Sequence, residues 1–238
     1  MNPSHRGAVR CLRLLSGLAL LGAVAGAQAQ GMGVNCSPVL EQVGPRDYRT
    51  ERQGLAVVER RHFTGRVEAL ISGESTKAPG PDIDYTLAKY PNHHRALLAL
   101  VRLAAKLKTP QVSDMPYSVA CYFERAVHFR SNDTVTRIIY AGYLGSTGQR
   151  DAAAAQLERA AELAQGNPLT HYNIGMAYLE LKNLDQAAAH AQLAYGQGIA
   201  RPDLRDRLRA AGRWTDTDTS AAPVPIAPAS AGASATAQ

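Results

Sequence analysis

The chain has 238 residues, 45% of them apolar, and a formal net charge of +6. Three arginines and no acid lie before Gln30, so the remainder carries only 6 − 3 = +3, which argues against a nucleic-acid partner. No later run is long and apolar enough to span a bilayer, so no transmembrane segment is expected in the mature chain.

Residues 1–29 read as a secretory signal peptide. Arg6, Arg10 and Arg13 precede the apolar run LLSGLALLGAVAGAQA, which ends in the small-x-small triplet Ala27-Gln28-Ala29, and cleavage is expected before Gln30. Gly17, Gly22 and Gly26 interrupt that run, leaving it short of the roughly 18 residues a spanning helix needs. The mature protein is therefore expected to be periplasmic or secreted. In that oxidising setting Cys36 and Cys121, the two cysteines left after cleavage, are expected to pair. The residues before Cys36, Gly33-Val34-Asn35, do not form the apolar-small-small junction of a lipoprotein.

Residues 30–93 are irregular. In FTGRVEALISG, Thr64 is placed to cap a short helix, with Val67, Leu70 and Ile71 as its apolar stripe and Gly73 as its stop. STKAPGPD reads as a loop, after which Asp82 or Asp84 is expected to cap a helix through Ile83, Leu87 and Tyr90 that stops near Pro91. His93 and His94 fall in the first turn of the next helix, ALLALVRLA. Being adjacent, they splay to different faces, whereas two metal ligands on a helix sit three or four positions apart. A packed or capping histidine is the expectation there, and no metal or other cofactor is expected.

The spacing from residue 94 to about 212 is helical, and it repeats. When IIYAGYLGSTGQRDAAAAQLERA is laid on YNIGMAYLELKNLDQAAAHAQLA, Tyr140 meets Ile174, a step of 174 − 140 = 34. The same step brings Leu144 onto Tyr178, Ala153 onto Ala187 and Ala160 onto Ala194. Taken backwards, it puts Phe123 and Ala126 under Leu157 and Ala160. The first helix of that earlier unit is displaced by 140 − 100 = 40, the extra length falling in LKTPQVSDMPY. PDLRDRLRAAGRW then places Leu204 and Leu208 on one helical face. From residue 213, and above all from Asp216, Ala, Pro, Ser and Thr dominate, and the segment reads as a disordered tail.

These units resemble the tetratricopeptide repeat family. His171 stands in the first aromatic slot, Ile174-Gly175 in the Leu-Gly slot, Tyr178 in the tyrosine slot and Ala187 in the alanine slot. The resemblance implies an all-α fold: a right-handed superhelix of about three helical hairpins and a C-terminal capping helix, preceded by an irregular segment. A narrower resemblance, carried by GPRDY and YPNHHRAL, is to a group of small exported bacterial proteins. It transfers no functional residue.

The sequence offers no catalytic constellation. Asp82 and Asp84 are explained as caps, Ser131-Asn132-Asp133 as an inter-unit turn, and His128 and His190 as isolated residues on repeat helices. Gly142, Gly145 and Gly148 lack the preceding strand and following Lys-Ser/Thr of a phosphate loop. The resemblance implies binding instead, along the concave face of the first helices. On that face the register places Arg95, Leu98, Arg102 and Lys106 at one end and Tyr172, Met176 and Leu179 at the other, suited to a protein or peptide partner in the cell envelope. Leu98 and Ile139 break the pattern of a carboxylate clamp. The rival expectation is a small-molecule or metal binder built around His93 and His94.

Overall fold

A computed structural model describes Cys36 and residues 44–215; the signal-peptide and Asp216-onward readings lie outside the described residues. The described chain is helical, with ten helices and no strand. They are α1 Leu55–His62, α2 Gly65–Glu68, α3 Gly80–Lys89, α4 His94–Leu107, α5 Val119–Phe129, α6 Thr134–Ser146, α7 Arg150–Leu163, α8 Pro168–Glu180, α9 Leu184–Tyr195 and α10 Asp203–Ala210.

The step expected from the sequence recurs in the helix boundaries. α6 and α8 begin at 134 and 168 and end at 146 and 180, while α7 and α9 begin at 150 and 184. The caps recur with them: Asp133 accepts from Thr136 N–H and Asn167 from Thr170 N–H, so the same orphan amide of each first turn is satisfied by the same kind of side chain. At the start of α4, His93 does the same through its ring nitrogen. At the other ends, Lys108, Gly148 and Lys182 share a left-handed backbone with φ of 53°, 81° and 62°. Glycine adopts that conformation freely and lysine does not. Lys182→Gly is therefore expected to raise stability by about 0.5–1 kcal/mol, read from the urea midpoint, with Gly148→Ala moving it the other way.

Small residues set the packing distances. A Cβ built on Gly175 would stand 2.7 Å from a Leu204 methyl and 3.2 Å from the Ala187 carbonyl oxygen, so α8 meets α9 and α10 where it has no side chain. Ala153, Ala160, Ala187, Ala191 and Ala194 are all fully buried, as are Leu204 and Leu208 of α10. Phe123, Tyr140 and Tyr143 stack between α5 and α6, with centroids of the first two 4.9 Å apart. The longer connection between α4 and α5 is packed too. Val112 and Met115 are buried, Met115 faces Gly80 at the start of α3, and Gln111 Nε2 donates to the Met115 carbonyl at 2.8 Å.

Several local expectations need correction. Neither Asp82 nor Asp84 caps α3, which starts at Gly80. Asp82 is buried instead, its carboxylate accepting from Glu74 N–H at 2.8 Å, Ser75 N–H at 2.9 Å and the Ser75 hydroxyl at 2.6 Å, so it organises the loop before α3. Thr64 donates to Glu74 rather than capping α2, and Ile71 is exposed because Leu70 turns into the left-handed region and ends the stripe. α1 has no counterpart among the sequence expectations: its apolar pattern is weak, and only Leu55 is buried. The fold also runs past residue 212, since Trp214 is buried and packs edge-to-face on Tyr195 at 5.5 Å. Cys36 and Cys121 are disulfide-bonded, with Cα atoms 5.3 Å apart.

Candidate binding surface

The first helices α4, α6 and α8 carry the candidate surface, and its two ends differ from expectation. At the α4 end the basic residues are present but engaged by the chain's own N-terminal segment. Arg95 pairs with Glu68 and with Glu59, Arg102 donates to the Glu68 carbonyl at 2.9 Å, and Lys106 donates to the Leu70 carbonyl at 3.2 Å. The hydrogen bond to Glu68 raises the Arg95 pKa, and attraction to the Glu68 and Glu59 charges adds to it. The basic entrance is thus tied down from within, Arg95 by ion pairs and Arg102 and Lys106 by backbone carbonyls.

At the α8 end, Tyr172 and Leu179 are buried and only Met176 is partly exposed. This corrects the sequence expectation. Tyr172 faces the last elements, with its ring 6.4 Å from that of Tyr195 and its hydroxyl donating to Asp203 at 3.2 Å, so the packing of α10 turns it into core. Leu98 is exposed as expected, at 46%, and the first helices expose three further apolar side chains, Leu107 at the end of α4 and Val135 and Leu169, at 51, 38 and 43%. Val135 and Leu169 occupy one register position, each the second residue of its helix, and Leu98 lies one turn further along α4. Ile138, Ile139 and Met176 lie partly buried on the same helices, and Gly142 opens onto free space. A cavity of about 480 Å³ adjoins the C-terminal ends of α4 and α6, lined by Val101, Ala104, Ala105, Lys108, Tyr143 and Thr147 among others.

His93 and His94 belong to a polar cluster that joins residues 46–53 to α4 and α6. Asn92 Nδ2 donates to both the Asp47 and the Asp133 carboxylates at 2.8 Å, and Asn92 Oδ1 accepts from Tyr48 N–H at 3.0 Å. His94 Nε2 donates to Asp133 at 2.9 Å, and Asp47 is gripped by Arg49 and Arg130. For Asp47, burial alone would raise the pKa, but the hydrogen bonds from Arg49 and Asn92 outweigh it and hold the carboxyl well below the usual range. The same contest in Asp133, where burial again opposes ionisation, is decided by His94, Asn92 and the Thr136 amide.

His93 is fully buried, and both of its ring nitrogens are in use. Nδ1 accepts from Ala96 N–H at 3.1 Å, which places the neutral ring's proton on Nε2, 3.2 Å from Glu59. The capping role expected of one histidine is thus present, and neither nitrogen is open to a metal. Among the described residues no three His, Cys, Asp or Glu side chains converge to hold a metal ion. Burial, helped by the charge of Arg95, pushes His93 down to about 3 from 6.5. The unfolded chain accordingly binds a proton that the folded chain refuses, so this contribution is complete above pH 6.5 and is lost as the pH falls toward 3. The expected loss by pH 5 is about 2 kcal/mol, at 1.36 kcal/mol per pH unit. Urea midpoints at pH 7 and pH 5, compared with those of His93→Asn, a cap that does not titrate, measure this share of the dependence; the share from His190 is expected to remain.

One further group brings Ser, His and Asp together. Ser75 Oγ and His62 Nδ1 both donate to Asp82 Oδ1, at 2.6 and 2.9 Å. Ser75 Oγ also lies 3.4 Å from His62 Nδ1, but a nucleophilic serine needs one imidazole nitrogen while the carboxylate holds the other, and here both face the same Nδ1. The arrangement holds a loop and does not activate Ser75. His190 is not isolated either: its Nδ1 lies 3.1 Å from that of His171.

No family model, curated protein or solved structure matches this chain. None of the described helices is long and apolar enough to cross a membrane.

Proposed function

We propose that the chain is an exported, non-enzymatic helical-repeat scaffold of the tetratricopeptide type, with α4–α5, α6–α7 and α8–α9 as its hairpins and α10 as its cap. The regular recurrence of helix boundaries and cap positions from α6–α7 to α8–α9 supports that reading, as do the buried small residues at Gly175 and Ala187. The disulfide between Cys36 and Cys121 supports export to an oxidising compartment such as the periplasm.

The observation that carries the functional reading is the exposed row of Leu98, Val135 and Leu169 along the first helices. Because the side chains that this row presents are apolar, the partner is an apolar segment of an envelope protein. A photoreactive residue at Val135 or Leu169 should crosslink one discrete partner in cells, and Leu169→Asp combined with the Val135 probe should abolish the adduct. The same probe at Arg159 on α7 serves as control. Equal capture from α7 and from the first helices would sink the proposal.

A further inference from the structure

The second and third hairpins each carry a polar bond between their two helices at one register position. In the second, Arg137 Nη1 donates to Gln156 Oε1 at 2.8 Å. One repeat further on, at 171 − 137 = 34 and 190 − 156 = 34, stand His171 and His190, their Nδ1 atoms 3.1 Å apart. The two bonds differ in one chemical respect. A guanidinium donor and an amide acceptor keep their protons throughout the accessible pH range, whereas two facing imidazole nitrogens can share only one proton. A second proton would set two N–H groups against each other in a site where His190 is 1% and His171 7% exposed.

The surroundings do not relieve that conflict. Tyr178 stacks on His190 with centroids 5.6 Å apart, and burial, with Glu158 of α7, pushes its hydroxyl up to about 12, so it stays neutral in acid. Glu158 acts on Tyr178, and three other charged groups on the neighbouring elements are engaged elsewhere: Glu180 of α8 by Arg207 of α10, Asp203 of α10 by the Tyr172 hydroxyl, and Asp185 of α9 by Arg213. Burial pushes His171 down as well, and His190 to about 4, with His171 adding to the latter. The pair also sits close to α10. The Cβ position of Gly175 lies 3.5 Å from His190 Cβ and 2.7 Å from Leu204, so separating α8 from α9 disturbs the seat of α10.

We propose that His171 and His190 form an acid-operated latch, whose second protonation opens α8 from α9 and frees α10 and Trp214 while the Arg137–Gln156 hairpin stays closed. Trp214 is the only tryptophan in the chain, so its emission reports on this end alone. In the full chain, titrated from pH 7.5 to pH 4, the red shift of Trp214 emission should reach its midpoint at a higher pH than the loss of helicity at 222 nm. The transplant His171→Arg/His190→Gln, which copies the preceding hairpin, should lower the emission midpoint by roughly one pH unit and merge it with the helicity midpoint. Where that variant fails to fold at pH 7.5, His190→Gln alone keeps a neutral acceptor for His171 and is expected to act in the same direction. Coincident emission and helicity transitions in the natural chain, or an emission midpoint unmoved by the replacements, would overturn the latch.

Discussion

Asp133→Ala is expected to lower stability by about 4 kcal/mol at pH 7, among the largest effects of any single substitution outside the apolar core. The side chain is fully buried and serves three donors at once: the Thr136 amide at 3.1 Å, Asn92 Nδ2 at 2.8 Å and His94 Nε2 at 2.9 Å. Its loss removes the cap of α6, which costs about 1 kcal/mol. It also strands buried N–H groups at about 1–3 kcal/mol each, with the sum moderated by local relaxation. Asp133→Asn keeps the cap acceptor but sets its amide against Asn92, so roughly half the loss is expected. Urea denaturation of the two variants beside the natural chain measures both. A loss below about 1 kcal/mol for alanine would mean that the cluster is well hydrated and does little to join residues 46–53 to the repeats.

Reduction of the Cys36–Cys121 bond is expected to cost a similar amount, about 4 kcal/mol in the chain-entropy account, because the cross-link joins residues 85 apart in sequence. The bond ties Cys36 to the first turn of α5, and the Asp47 cluster holds the opposite end of the same helix through Arg130. The two restraints are partly redundant. The loss on reduction should therefore be larger in a background already weakened at Asn92 than in the natural chain. Thermal unfolding with and without dithiothreitol gives the value, and Cys36→Ser/Cys121→Ser, indifferent to the reductant, serves as the control. An unchanged midpoint on reduction would show that noncovalent contacts alone hold the N-terminal arm.

The recurring helices are legible in the sequence because each requirement falls on a short, periodic set of residues. Small residues such as Gly175 and Ala187 and apolar positions at helical spacing can be recognised one at a time. The candidate surface is legible only in part. Leu98 is exposed as expected, but Tyr172 and Leu179 follow the same register and are buried, because whether a first-helix position faces solvent depends on what is laid across it. Arg95, Arg102 and Lys106 do lie on the outside of α4, yet their partners come from 27 to 36 residues earlier. The His171–His190 contact has a signal in the sequence, since the repeat step aligns it with Arg137 and Gln156. That alignment joins two polar pairs of unlike chemistry, which apolar matching passes over.

The helical class, the regular step between units, a packed or capping role for one of the two histidines before α4 and the pairing of Cys36 with Cys121 could all be reached without coordinates. Each depends on neighbours along the chain or on the count of available partners. Three-dimensional packing was needed to learn that Asp82 holds a loop, that Trp214 belongs to the core, that Glu68 and the Leu70 carbonyl occupy the basic row, and that His171 and His190 face each other. Those outcomes arise where segments distant in sequence meet. There a side chain's fate follows from the geometry and desolvation of the groups brought against it, which local periodicity does not encode.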